Sequence, residues 1–168
     1  MSISKGGQSV KPYVGSKEVK EAYVGSQLVY KASYPYKYAF LGTENDYMLA
    51  DWCVLGQKVA IAKWLNIYRI ALPYTSGPYD NDSFVKLTNI DSEKYKYIKF
   101  TAFVQRPTLS RCDVQFIANN STISTRDFIF PDITEQAVSF EIPSKTTEIR
   151  IHTAQNTSLW LDAVRVEE

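Results

Sequence analysis

The sequence predicts an all-β protein: an antiparallel β-sandwich of the jelly-roll kind, preceded by a short arm of β-meander or hairpin strands. Three observations predict it. Tyr, at 12 residues, and Phe, at 8, join plentiful Val, Ile and Thr, the side chains that fit a pleated, half-buried surface. Apolar and polar residues alternate in one segment after another, the two-residue period of a strand. Gly and Pro stand between those segments, at Gly77-Pro78, Pro107, Pro131 and Pro143, where strands end. At 168 residues the chain fits one domain plus an appendage, and its 45% of hydrophobic residues can build a sizeable core.

The first element is a repeat. In "YVGSKEVKEAYVGSQLVYKA", Tyr13-Val14-Gly15-Ser16 returns as Tyr23-Val24-Gly25-Ser26, Val19 as Val29 and Ala22 as Ala32. The Gly-Ser pairs read as turns between short strands, and Val10-Lys11 with Gly6-Gly7 makes a degenerate earlier copy. Alternation puts Val19, Glu21 and Tyr23 on one face and Lys20, Ala22 and Val24 on the other, so neither face is wholly apolar. A segment of fewer than about 40 residues rarely sustains its own core, so the arm is expected to lie against a partner. Its candidate oligomerisation or anchoring residues are Tyr13, Val14, Val19, Tyr23, Val24, Val29 and Tyr30. Residues 1–37 hold six Lys against Glu18 and Glu21, a net +4, whereas the rest of the chain holds 13 basic and 16 acidic side chains. Two readings of that asymmetry stand: the two parts meet different surroundings, or Lys blunts exposed strand edges.

"YPYKY", Tyr34–Tyr38, reads as a hinge dividing the arm, 1–37, from the body, 38–168. "EKYKYIKFTAFVQR" is the clearest strand of the body, with Ile98, Phe100, Ala102 and Val104 on one face and Tyr97, Lys99 and Thr101 on the other. "CDVQFIA" gathers Val114, Phe116 and Ala118, "RDFIFPDI" follows, and "QAVSFEIPS" gathers Val138, Phe140 and Ile142. "TEIRIHTA" turns Ile149 and Ile151 inward and Glu148, Arg150 and His152 outward, and "SLWLDAVRVEE" closes the chain. "KVAIAKWLNIYRI" also fits a helical stripe through Ala60, Ile61, Trp64, Leu65 and Tyr68, but its β-rich surroundings favour strands. The sum is eight to ten short strands and little helix.

Several functions are disfavoured by composition. A net charge of +1 gives no reason to expect nucleic acid or an anionic membrane as partner. The opening "MSISKGGQSV" has no apolar run, which predicts a chain made in a cytoplasm without a secretory signal, and no later run is long enough to span a bilayer. Cys53 and Cys112 sit in apolar strand contexts and are expected as buried, reduced thiols. No nucleophile elbow, zinc-protease motif or phosphate loop occurs, and His152, the single histidine, reads as a surface residue. A non-enzymatic protein is expected.

Aromatic side chains are the more informative signal. Trp52, Trp64, Tyr68, Tyr74, Tyr79 and Trp160 lie near loops and strand ends. Flat rings stack on the C–H faces of pyranoses while neighbouring polar groups bond the hydroxyls. The loop "PYTSGPYDNDS" supplies Tyr74, Tyr79, Asp80 and Asn81, which with Trp160 form the candidate glycan-binding set. The competing reading places these rings in the core, above all Trp52 and Trp64. Asp162, in "LDAVRV", either caps backbone amides at the start of the final strand or, with Glu44 and Asp46 of "GTENDY", supplies oxygens to a structural Ca²⁺.

Two resemblances extend these readings. "YKYIKFTAFV", "VSFEIPSKTTEIRI" and the terminal "LWLDAVRVEE" make the body similar to the galactose-binding-like jelly rolls found as carbohydrate-binding modules. The typical ending of that class has a second Asp or Asn where Ala163 stands, which weakens the carry-over of calcium to Asp162. The Y-V-G-S-x-x-V arm resembles repeats near the N-termini of structural proteins in tailed phages and prophages of Gram-positive bacteria. That resemblance implies a virion surface protein, a head decoration, head fibre or tail component. Its arm would anchor it to other virion proteins or build a homo-oligomer, a trimer being favoured, and its jelly roll would meet host-surface glycans. The alternative is a stand-alone carbohydrate-binding module of a bacterial polysaccharide-processing system.

Overall fold

The computed structural model describes six short strands within residues 4–31 and then residues 35–73, 83–105, 108–153 and 158–168, with 108–111 described by backbone alone. Two compact units divide at Pro35. In the arm, β1 (Ser4–Lys5) pairs with β2 (Gln8–Ser9), β3 (Tyr13–Val14) with β4 (Lys17–Glu18), and β5 (Glu21–Val24) with β6 (Gln27–Lys31), all antiparallel. In sequence, one Gly-Gly or Gly-Ser pair stands between the paired strands each time, so among the described residues the arm is three separate strand pairs rather than a continuous meander. A register shift between Ala22 and Tyr23 interrupts the simple alternation expected there. Tyr13, Val14, Tyr23, Val24, Val29 and Tyr30 fall on these strands, and Val19 lies outside the described residues.

The body contains β7 (Tyr36–Gly42), β8 (Tyr47–Leu49), β9 (Cys53–Leu55), β10 (Ala60–Trp64), β11 (Ile67–Leu72) and β12 (Phe84–Thr88). It continues through β13 (Tyr97–Val104), β14 (Thr108–Ala118), β15 (Ser121–Phe130), β16 (Gln136–Glu141), β17 (Glu148–His152) and β18 (Leu159–Glu167). These twelve strands exceed the eight to ten expected, because β8 and β9 are only three residues each and carry little periodicity. The "YPYKY" hinge is shorter than its sequence suggests: Tyr36 and Lys37 already pair with Glu167 and Val166, and the Lys37 ammonium lies 4.5 Å from the Trp52 ring centroid.

One sheet runs β10-β11-β18-β13-β16, with β7 also joined to β18 and carrying β8; the other runs β15-β14-β17-β12-β9. Both are antiparallel, and their facing sides share one apolar core in an antiparallel β-sandwich. Ile98, Phe100, Ala102 and Val104 enter it from β13, Val114 and Phe116 from β14, and Ile149 and Ile151 from β17. Phe128 of β15 meets Phe100 edge-on at 5.7 Å and Phe140 of β16 at 6.2 Å, tying the two sheets with aromatic contacts. Trp52 is core. Cys53 and Cys112 are both buried in the interior, and burial pushes the Cys53 thiol up to about 12. The ambiguous 58–70 stretch is a hairpin: Leu65 and Asn66, at φ 50° and 66°, make the tight turn between β10 and β11.

Two residues sit otherwise than alternation suggests. His152 does lie opposite Ile151 in the pleat, yet it is buried, with Nδ1 3.1 Å from Oδ1 of buried Asp113, its register partner on β14. Asp162 does not begin the last strand but sits inside it, at a bulge where the pairing with β13 steps from Thr101↔Asp162 to Lys99↔Arg165. Here β18 changes partner along one edge. Leu159–Leu161 pair with β11, whereas Val164–Glu167 pair with β7. Asp162 Oδ1 accepts the N–H of Gly42 at 2.9 Å and of Ala163 at 2.7 Å, and Ala163 takes a left-handed φ of 49°.

Glycine is required at 42. A Cβ there would stand 1.7 Å from the Tyr68 carbonyl oxygen, and the Tyr68 N–H in turn donates to the Thr43 carbonyl at 3.1 Å. Gly42→Ala is expected to cost about 3 kcal/mol by forcing β7 from β11. Urea unfolding of the purified variant measures this; a midpoint equal to that of the parent chain would contradict the close approach.

Candidate functional site

The site follows from the side of the seven-stranded sheet that the core does not use. Ile70, Leu72, Leu159, Leu161, Ala102 and Val104 point into the core. Their neighbours along the strands, Arg69, Ala71, Trp160 and Phe103, therefore face the other way. Register sets Ala71, Trp160 and Phe103 side by side across β11, β18 and β13. Trp64, opposite Ile67 at the end of the β10–β11 hairpin, belongs to the same face.

These rings form one cluster. Phe103 and Trp160 are nearly coplanar in orientation, 13° apart, with centroids at 6.0 Å. Trp64 lies 5.4 Å from Trp160 and 6.0 Å from Phe103, tilted by 36° and 32°. Phe103 and Trp160 are 6% and 8% exposed, and Trp64 is 37% exposed. The first two are thus a floor and the third an accessible ring, on the outer face rather than in the core.

A cleft of about 500 Å³ opens beside them, lined by Trp64, Leu65, Arg69, Phe103, Val104, Gln105, Ile133 and Glu135. Arg69 stacks its guanidinium 4.9 Å above the Phe103 ring and gives Nη1 to Glu135 Oε2 at 2.5 Å. That bridge is asymmetric: the Arg69 side chain is 6% exposed and the Glu135 side chain 47%. Arg69 Nε and Trp160 Nε1 are buried N–H donors that have no acceptor among the described residues. A buried donor left unmet costs about 1–3 kcal/mol, and since Arg69 lines the cleft, an oxygen that reaches its Nε gains more than it would in water. Aliphatic lips, a stacking surface and unmet donors together suit a ligand with both C–H faces and oxygen acceptors.

The sequence-derived candidates separate here. Trp160 is in the cluster, beneath Trp64 and Phe103. Tyr74, Tyr79, Asp80 and Asn81 lie outside the described residues. Arg69, Phe103, Ile133 and Glu135 were not singled out by sequence. Phe103 was hidden because "TAFV" reads as continuous core, and only the strict alternation with Ala102 and Val104 signals its outward side. Arg69 and Glu135, 66 residues apart, carry no local signal at all.

The three candidate calcium ligands, Glu44, Asp46 and Asp162, do not stand together as a group. Ca²⁺ takes six to eight oxygen ligands. Among the described residues no group of three or more His, Cys, Asp or Glu stands together as a metal-holding set. Asp162 turns Oδ1 to two backbone amides, and Asp46 Oδ1 accepts the Tyr47 N–H at 2.7 Å.

No protein-family model matches the chain, and no curated protein matches it. Solved structures do. A point variant of a family 29 carbohydrate-binding module matches with a TM-score of 0.54 at 11% identity, covering 79% of this chain and 91% of that one. A variant complexed with cellulohexaose matches at 0.52 and 13%, covering 78% and 89%. A family 29 module from Piromyces equi matches at 0.50 and 13%, covering 78% and 88%. The likeness is one of fold: the chain contains an antiparallel β-sandwich like that of these structures.

The different burial of the rings separates structural from accessible roles. Phe103→Ala is expected to cost about 3 kcal/mol of stability, and Trp64→Ala about 1 kcal/mol. Denaturant unfolding of both variants is the measurement, and equal losses would contradict the division into floor and accessible ring.

Proposed function

We propose that this chain binds glycans without catalysis, through the cleft lined by Trp64, Phe103, Arg69 and Glu135 and backed by Trp160. The observation that carries this reading is the cluster of three rings on the outer face of the sheet, with unmet N–H donors beside it. Stacking of an aromatic ring on a pyranose is worth a few kcal/mol at most, so a second ring and directed hydrogen bonds are what turn contact into affinity. The sandwich shared with carbohydrate-binding modules supports the same reading. So does the acid content of the cleft. Glycoside hydrolysis needs two carboxylates flanking the bond, and among the described lining residues only Glu135 carries one, already engaged by Arg69.

The setting proposed is the surface of a tailed-phage virion, with the arm as the element that attaches or oligomerises the protein and the sandwich displayed toward host glycans. The three small hairpins support it. Each pairs only within itself among the described residues, and hairpins of this size gain stability from a partner. A stand-alone module of a polysaccharide-processing system uses the same cleft but gives the repeated arm no task.

Two experiments test the proposal. On a glycan array followed by calorimetry, the full chain is expected to bind at least one oligosaccharide, and Trp64→Ala to weaken it by about 30-fold or more. An array blank throughout would refute glycan binding, and an unchanged affinity in the variant would move the site elsewhere. Deleting residues 1–33 is expected to leave a folded monomer and abolish assembly. A truncated chain with the same solution mass as the parent oligomer would show that the arm is not the assembling element.

A further inference from the structure

We infer that the cleft selects glycans carrying an N-acetylated amino sugar. The inference rests on the glycan-binding reading above and adds the ligand class. Stacking on Trp64 would accept any pyranose, so the selectivity lies in what surrounds the ring.

Three features surround it. Leu65, at the tip of the β10–β11 hairpin, is 78% exposed and held at φ 50°, a conformation where Asn or Gly is at ease and a bulky side chain is strained. A turn under no other demand favours the unstrained residue, and an observed outlier of this kind points to a role for the side chain. Ile133, 60% exposed, also lines the cleft, so two aliphatic side chains face water beside the rings. Arg69 Nε is a buried donor without an acceptor among the described residues, and the Glu135 carboxylate stands beside it as an acceptor.

An acetamido group answers all three at once. Its carbonyl oxygen accepts an N–H such as that of Arg69, its amide N–H donates to a carboxylate such as Glu135, and its methyl covers Leu65 or Ile133. A hydroxyl on the same carbon supplies a donor and an acceptor but nothing for the aliphatic lips. A uronic carboxylate satisfies the donors yet meets Glu135 as a like charge. An unacetylated amino group brings a cation toward Arg69.

The test compares chitotetraose with cellotetraose, which share one β-1,4-linked backbone and differ at carbon 2. Calorimetry on the full chain is expected to show chitotetraose bound at least about 10-fold more tightly, the scale on which one apolar group in a fitted pocket discriminates. Leu65→Asn relieves the strained turn and is expected to raise the melting temperature. It is also expected to weaken chitotetraose more than cellotetraose, so that the preference for the acetylated sugar falls about fivefold. Equal affinities, a preference for cellotetraose, or binding only to other glycans overturns the acetamido assignment and leaves the glycan reading intact. A Leu65→Asn loss shared equally by both sugars overturns it as well. Silence toward every glycan, with the protein folded, removes both.

Discussion

The architecture depends on one forked strand. β18 must hold β11 along its first third and β7 along its last, and two strands cannot occupy one edge without a break between them. The break is the bulge at Asp162 and Ala163, where a left-handed alanine costs roughly 1–2 kcal/mol of backbone strain. The Asp162 carboxylate offsets that cost by accepting the Ala163 and Gly42 amides, which also fixes where β7 ends. Gly42 completes the join, since only a residue without a side chain lets β7 approach the Tyr68 carbonyl. This join sets the position of the β10–β11 hairpin at the sheet's margin, and with it Trp64 and Leu65. Fold and site therefore share a single geometric requirement.

The cleft stands on that join in a second sense. Trp160 precedes the bulge by two residues on the same strand, so the ring that backs Phe103 and the fork are parts of one segment, Leu159–Val164. Burial of Phe103 and Trp160 on the outer face gives the sheet an apolar layer outside its main core. Such a layer stiffens the platform before any ligand arrives, and preorganisation lowers the entropy lost on binding. Trp64, by contrast, hangs from a hairpin tip and keeps more than a third of its surface in water. The site combines a fixed floor with one accessible ring.

Much of this was legible in the sequence, and the unreadable parts share a cause. Alternation located the core faces of β13 and β17, and the Gly-Gly and Gly-Ser pairs marked the breaks between the arm's strands, because each signal is local. The sandwich class followed from composition and punctuation. His152 was misjudged because alternation reports which side of a sheet a residue takes, not whether that side is covered; its neighbour Asp113 comes from a strand 39 residues away. The bulge at Asp162 left no mark, since Ala163 is not a residue that advertises a left-handed backbone. Trp64 looked like core or a helical stripe because the Leu65-Asn66 turn lacks the glycine that usually signals a tight hairpin.

The two interior thiols carry one more consequence. With Cys53 pushed to about 12, its reactive thiolate is scarce at any physiological pH, and burial denies oxidants access to it. The sandwich draws its cohesion from apolar packing and strand pairing, with no covalent cross-link among its described residues. Its covalent structure is therefore blind to redox potential: a chain folded in a reducing interior keeps the same bonds on exposure to an oxidising exterior.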